Sequence, residues 1–405
     1  MQKHHHSRST FSGKIGFVLS AAGASVGLGN IWRFPIMVSV WGGMTFLIPY
    51  FICVLLIGST GVIGEFALGR ATGAGPIGAF GECTALRGNR KIGEGIGLIP
   101  VIGSMALAIG YTVVMGWIFK YTFISITGDM HAMGQDMASI GGHFDVVAVN
   151  NVPCIIVAIL ASFAIMALGV SGGIEKATRI LIPLLFILLV VVCIRSLTLP
   201  NAMEGLKFLF MPDFSRIDGS VVLMAMGLAF FKMSIGFGCM ITYGSYFRSD
   251  THVPFLAVRV MVCDLLVSIL AGIAVFPAVF SFGFEPTAGT SLLFLTIPAV
   301  FASMPGGQLF TTLFFVLSAV ASMGAMLSLL EVPVAWLSET FRISRPRATV
   351  LMTLALILLG APATLSTSVL SDVTVFGLSL FDLYDFLSSN LMLPLDGLLL
   401  SLFVG

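Results

Sequence analysis

Long apolar runs dominate the chain, and short polar stretches separate them. Ten runs approach or exceed about 20 residues, the length a helix needs to cross the hydrocarbon core of a bilayer. They cover 13–38, 42–69, 95–123, 150–170, 178–199, 219–247, 254–284, 308–338, 348–366 and 378–404. These are spans 1 to 10. Their apolar residues do not alternate strictly, which argues against a transmembrane barrel. The 405 residues are 57% hydrophobic and 10% charged, with mean hydropathy +1.05. No soluble globular domain has that balance. The pattern predicts an all-α protein of ten transmembrane helices, with the lipid bilayer as its surroundings.

Charge placement sets the expected orientation. Of the 20 lysines and arginines, Arg33 and Lys232 fall at membrane depth, and Lys120, Arg195, Lys207 and Arg216 fall on one side. All the others fall on the opposite side, which the positive-inside rule assigns to the cytoplasm. Both termini are then cytoplasmic, in a multi-pass protein of the cell (inner) membrane. The segments 124–149 and 285–307 read as long loops outside. A net charge of +1 gives no reason to expect a nucleic-acid partner. Six scattered cysteines predict neither a disulfide framework nor a metal site. No cleavable signal is expected, and His4, His5 and His6 read as a solvated tail.

Two spans are interrupted. Span 1 carries Gly23-Ala24-Ser25-Val26-Gly27-Leu28-Gly29-Asn30, and span 6 carries Ser234-Ile235-Gly236-Phe237-Gly238. They are the first helices of two five-helix halves. Glycine-broken helices at matching positions point to an inverted-repeat transporter with a midplane site, since unwound backbone survives at that depth only against a polar cavity. Gly23 and Gly27 also fit a small-residue packing contact. The expected layout is an amino-terminal cytoplasmic segment 1–12, a first repeat 13–199 and a second repeat 200–405. Lys232 is the one charge between Val221 and Phe247. A lysine at that depth costs roughly 3 kcal/mol or more, so it is expected to have a partner and a task.

The stretch GFVLSAAGASVGLGNIWRFP (16–35) resembles the first helix of the neurotransmitter:sodium symporter family. GGMTFLIPYF (42–51), GEFALGR (64–70), GYTVVMGW (110–117), SLLEVPVAWL (328–337) and FDLYDFLSSNLMLPLDGLL (381–399) extend the resemblance over nearly the whole chain. It implies the bacterial amino-acid transporter branch, a 5+5 inverted repeat with helices 1 and 6 broken, and alternating access. The substrate carboxylate would meet the break amides from Ser25 through Gly27 to Gly29 and the Tyr111 hydroxyl. A half-helix amino terminus independently favours an anion there. Ser234 would help hold the amine, and Leu107, Phe231, Phe237, Ala325 and Leu329 would form the side-chain pocket. Family members that carry amines lacking a carboxylate have an aspartate at position 27, so Gly27 resembles an amino-acid carrier. Arg33 with Asp385 resembles the outer gate, and Arg8, Tyr246 and Glu339 resemble the inner gate. Buried Glu65 would support the breaks.

The chain departs from the family at its ions. The first sodium site resembles Asn30 with a span 6 hydroxyl and a span 7 acid or amide. Here those two positions are Lys232 and Asp264. An ammonium has the charge of a sodium ion. Lys232 is therefore expected to replace that ion, pair with Asp264 and face the substrate carboxylate. The second site needs two hydroxyls on span 8, at positions held here by Gly324 and Ala325, which leaves the carbonyls of Gly23, Val26 and Ala321. Sodium dependence is expected to be lost. No chloride site is expected either, because Tyr50 and Ser268 match while Leu228 and Lys232 do not. No cofactor or metal is expected, and no enzyme, for want of a nucleophile–base set. The partner is a small neutral, apolar amino acid, and the oligomeric state is not legible. Two alternatives stay open: a conventional sodium-coupled symporter, and a sensor that binds an amino acid without moving it.

Overall fold

Inside a bilayer no water completes backbone hydrogen bonds, so apolar runs of this length satisfy them within helices. The computed structural model describes residues 13–404 apart from 87, 134–136, 150, 248–250 and 284–291. Arg8 lies outside the described residues. Among them, seven helices are long and apolar enough to cross a membrane, or nine if each of two bent pairs counts once. The seven are Met44–Thr72, Arg90–Thr127, Val170–Leu197, Val253–Ser281, Gly307–Phe341, Arg345–Leu365 and Leu380–Phe403. They correspond to spans 2, 3, 5, 7, 8, 9 and 10. Span 1 is a bent pair, Ile15–Ser25 and Gly29–Trp41, with 48° between its halves. Span 4, Val152–Ala167, is bent by 62° against the preceding helix Ser139–Val149.

Span 6 is not among them because it is two short helices, Gly219–Lys232 and Cys239–Gly244. Asp218 starts the first of them. The Val221 amide donates to its Oδ1 at 2.9 Å and holds this carboxyl below the usual carboxylate range. Between the halves, Ser234 and Gly238 adopt φ of +53° and +69°. Gly236 does so as well, at +88°, and a Cβ there would lie 2.6 Å from the Leu393 carbonyl oxygen of span 10. Only glycine meets both demands, since the left-handed region is strained for a side chain and the space is taken.

Spans 3 and 8 are the most enclosed, while spans 9 and 10 lie at the rim. Span 8 packs against spans 3, 1 and 5, and span 5 against span 7. Large apolar side chains such as Ile180, Ile187 and Leu358 are exposed on the outer faces of spans 5 and 9. A surface of that kind suits hydrocarbon and not water.

The segments expected as loops are partly helical. Span 3 runs on to Thr127, and Asp129–Ala132, Met137–Val149 and Ile297–Ala302 form further helices. Their aromatic residues explain the order. Phe144 and Phe294 stack at 5.1 Å, and both lie edge-on to Trp117 of span 3. Apolar caps over span ends bury area that a polar loop would leave exposed.

Candidate functional site

The break in span 1 follows from its hydrogen bonds. The helix ends where the Val26 amide donates to the Ala22 carbonyl, and the next amides turn to side chains. Gly27 N donates to Asn30 Oδ1 at 3.2 Å, and Leu28 N to Tyr111 Oη at 3.2 Å. A Cβ at position 27 would lie 2.6 Å from the Ala325 Cβ and 3.2 Å from the Tyr111 oxygen. Glycine is thus required there by span 8 and span 3, whatever the substrate. Ser25 is buried, and its hydroxyl has no partner among the described residues.

The two breaks are tied together. Ser234 Oγ donates to the Ala24 carbonyl at 2.9 Å. Glu65 of span 2, wholly buried, accepts from the Gly236 amide at 2.7 Å and the Ile241 amide at 3.3 Å. One carboxylate therefore satisfies donors that the interruption of span 6 leaves free.

Lys232 closes the first half of span 6, and its side chain is 0% exposed. Nζ lies 3.1 Å from Asp264 Oδ2 and donates to Tyr50 Oη at 3.1 Å and to Ser268 Oγ. Three acceptors match the three N–H groups of an ammonium. The Phe34 ring lies 4.8 Å away and adds a cation–π contact. Asn30 Nδ2 donates to Asp264 Oδ1 at 2.8 Å, so Asp264 accepts from both residues. A continuous polar path runs from the Gly27 amide through Asn30 and Asp264 to Lys232.

A cavity of about 320 Å³ lies beside this network. Gly29, Leu107, Tyr111 and Phe231 line it, with Arg33 and Asp385 at its rim. Arg33 Nη1 is 3.7 Å from Asp385 Oδ1, Ser389 bridges the two, and the guanidinium sits 4.2 Å from the Phe231 ring centre. Ser25, Gly27, Ser234, Phe237, Ala325 and Leu329 are buried but do not line the cavity. Among them, Phe237 meets Phe231 edge-on at 6.1 Å, and Ala325 closes on Gly27.

Lys232 corrects one expectation. It pairs with Asp264, but it is not among the residues that line the cavity, where it is expected to face a substrate carboxylate. Its three protons are drawn to Asp264, Tyr50 and Ser268. Two of those partners, Tyr50 and Ser268, are the ones that match the family's chloride site.

On span 8, Gly324 meets span 1: a Cβ there would be 3.4 Å from the Gly23 carbonyl oxygen. The Ala321 carbonyl approaches Gly27. Ser322 and Ser328 bond to the Ala319 and Gly324 carbonyls within the helix, and Ser328 also meets Tyr243.

At the end of span 8, Tyr246 Oη donates to Glu331 Oε1 at 2.6 Å, and Arg345 of span 9 forms a bidentate pair with the same carboxylate. Glu339 accepts from the Gly75 amide at 3.0 Å. Sequence reasoning named Tyr246 and Glu339 but missed Glu331 and Arg345. The signal was present, since Glu331 is a lone acid inside an apolar run, the same signal that picked out Lys232. Arg345→Ala leaves Glu331 buried without its cation. A loss of roughly 3–5 kcal/mol is expected for a broken buried pair. Thermal melting of the detergent-solubilised protein would read it, and an unchanged transition would show that the pair is dispensable.

Comparison with known proteins places this arrangement. The model of the sodium:neurotransmitter symporter family matches residues 8–134 and 131–396. The uncharacterized sodium-dependent transporter YhdH of Bacillus subtilis (strain 168) is 36% identical over 397 residues, 97% of this chain and 87% of the relative. An uncharacterized sodium-dependent transporter of Haemophilus influenzae is 34% identical over 413 residues, 100% of this chain and 90% of the relative. The crystal structure of MhsT in complex with L-phenylalanine matches with TM-score 0.87 and 39% identity, over 98% of this chain and 90% of that one. Broken helices 1 and 6, bridged by Ser234, with Glu65 of span 2 holding the break in helix 6, are therefore the inverted-repeat architecture of a membrane transporter and not of an enzyme. The chain belongs to the sodium:neurotransmitter symporter family.

Proposed function

We propose that the protein carries neutral, apolar amino acids across the inner membrane by alternating access, without requiring sodium. The observation that carries the reading is the fully buried Lys232–Asp264 pair, with Asn30 on the other oxygen of the same carboxylate. In this reading the ammonium does from one side what a bound cation would do: it neutralises Asp264 and thereby keeps Asn30 and the span 1 break in place. Phe231, Leu107 and Tyr111 around the cavity favour an apolar or aromatic side chain, and MhsT, the structural neighbour, was solved with L-phenylalanine. The Arg33–Asp385 pair closes one side of the cycle, taken as the outside, with Arg8, Tyr246 and Glu339 at the cytoplasmic side. Chloride is not needed, because the Lys232 ammonium already sits between Tyr50 and Ser268.

The names of the relatives favour a second reading, a sodium-coupled symporter. Uptake of labelled L-phenylalanine and L-leucine into proteoliposomes decides between the two. Equal uptake with sodium or choline outside is expected. Uptake seen only with sodium would overturn sodium independence while leaving the transporter intact. Saturable binding without flux would instead favour a sensor.

Gly324→Thr with Ala325→Ser supplies two hydroxyls on span 8, one where it meets the Gly23 carbonyl and one where it closes on Gly27. A hard cation needs several oxygens, and these would join the carbonyls of Gly23, Val26 and Ala321. The double variant is expected to gain a sodium-dependent rise in melting temperature that the parent lacks. No sodium effect on the variant would remove the argument that the second site was lost through these two residues.

A further inference from the structure

Asp396 of span 10 is 0% exposed, and neither of its carboxylate oxygens has a hydrogen-bond partner among the described residues. An ionised carboxylate enclosed in this way is strongly disfavoured, whereas a protonated one is tolerated. One turn earlier, the Leu393 carbonyl oxygen lies against Gly236, where a Cβ would be only 2.6 Å away. The Gly236 amide in turn donates to Glu65. The residue after Asp396, Gly397, seats on Phe230, with 3.0 Å to a Cβ placed there. The span 6 break is thus held between span 2 and span 10, each of which carries a buried acid.

Spans 2, 3 and 6 pack against this end of span 10. Glu65 of span 2 holds the Gly236 amide, against which the Leu393 carbonyl of span 10 lies. Elsewhere on these spans, Arg70 is bonded to the Thr251 carbonyl, Glu94 to Arg90, and Lys232 to Asp264, Tyr50 and Ser268, while the Tyr111 hydroxyl accepts from Leu28. Both oxygens of Glu65 are engaged by break amides. Two neighbouring carboxyls in a dry interior do not both stay ionised. No cluster of three or more His, Cys, Asp or Glu side chains among the described residues could hold a metal ion. The ligand that fits the pair is a proton.

Asp396 also shares span 10 with Asp385, which pairs with Arg33. Asp385 lies eleven residues earlier on the same span, about 16 Å along a helix rising 1.5 Å per residue. A π-helical stretch, Phe386–Met392, separates them. Such stretches mark places where a helix is locally rewound, often at functional sites.

We propose that Asp396 is a proton-binding site that couples the gate to the transport cycle. Its carboxyl is protonated while span 10 is seated on the span 6 break. When span 10 lifts and the Arg33–Asp385 gate opens, water reaches the carboxyl, its O–H bond breaks and the proton passes to water. The coupling role rests on the transporter reading above; the proton site itself does not.

The test uses the full chain in proteoliposomes with a pH-sensitive dye inside. Two signals are followed: counterflow of labelled L-phenylalanine and L-leucine, and proton movement driven by a gradient of the same amino acids. The wild type is expected to show both. Asp396→Asn, which mimics the protonated acid, is expected to keep counterflow and to lose proton movement to the level of empty liposomes. Asp396→Glu is expected to keep both. Proton movement at the wild-type rate in Asp396→Asn, or none in a wild type that performs counterflow, overturns the proposal. Absent counterflow in the wild type would sink the transporter reading instead. The proton site is then read from melting of the solubilised protein. The folded wild type holds a proton that the unfolded chain releases, so its stability falls with rising pH relative to Asp396→Asn. Equal pH dependence in the two proteins overturns the site. Asp396→Ala serves in place of Asp396→Asn if the latter does not fold.

Discussion

Lys232→Thr is expected to lose uptake in choline medium and to recover part of it in sodium. The substitution removes the one cation paired with Asp264 among the described residues, and leaves a carboxylate that is 0% exposed and otherwise held by Asn30 and Tyr50. Breaking a buried pair by removing one partner costs about 3–5 kcal/mol, because the remaining charge is left in a low-dielectric interior. A sodium ion could take that place. The threonine hydroxyl, Asn30 and Asp264 would then offer the oxygens a hard cation requires. Lys232→Met separates charge from ligation: it also removes the cation but supplies no oxygen, so sodium should rescue it less. Uptake and melting temperature, each with and without sodium, give the answer. A threonine variant that transports in choline like its parent would end the idea that Lys232 stands in for an ion.

Lys232 also shows what the sequence could and could not convey. Its depth in an apolar run, and its partner one span away, were legible because a lone charge there needs compensation. The direction of its side chain was not. Tyr50, Asp264 and Ser268 come from spans 2 and 7, and only the packing of those spans brings three acceptors around one nitrogen. The two breaks were legible from glycine patterns, and the resemblance named Glu65 as their support. The partners of the Glu65 oxygens were not legible, because backbone amides carry no residue signature. Glu331 and Asp396 were visible as lone acids but passed over, since the family motifs that contain them drew attention to neighbouring positions. The apolar segments around Phe144 and Phe294 read as loops because each is too short to span a bilayer. Their order comes from aromatic contacts with span 3, which hydropathy does not encode.

Glu65→Ala is expected to damage both stability and substrate binding. It deprives the Gly236 and Ile241 amides of their acceptor at the point where span 6 cannot continue as a helix. A buried donor left without a partner costs about 1–3 kcal/mol, and two are left here. The same break carries Ser234, whose hydroxyl holds the Ala24 carbonyl of span 1, so a loosened span 6 also loosens the other half of the site. Both thermal stability and saturable binding of labelled L-phenylalanine should therefore fall together. Glu65→Gln distinguishes shape from charge. Its carbonyl can still accept from one amide, but its NH2 group would confront the other, donor against donor. An intermediate loss is expected if hydrogen bonding to the break is what Glu65 supplies. If the glutamine variant melts and binds like its parent while alanine does not, one acceptor suffices and the charge of Glu65 plays no part in holding the break. If alanine melts and binds like the parent, the break is held by packing against span 10 at Gly236 and not by the carboxylate.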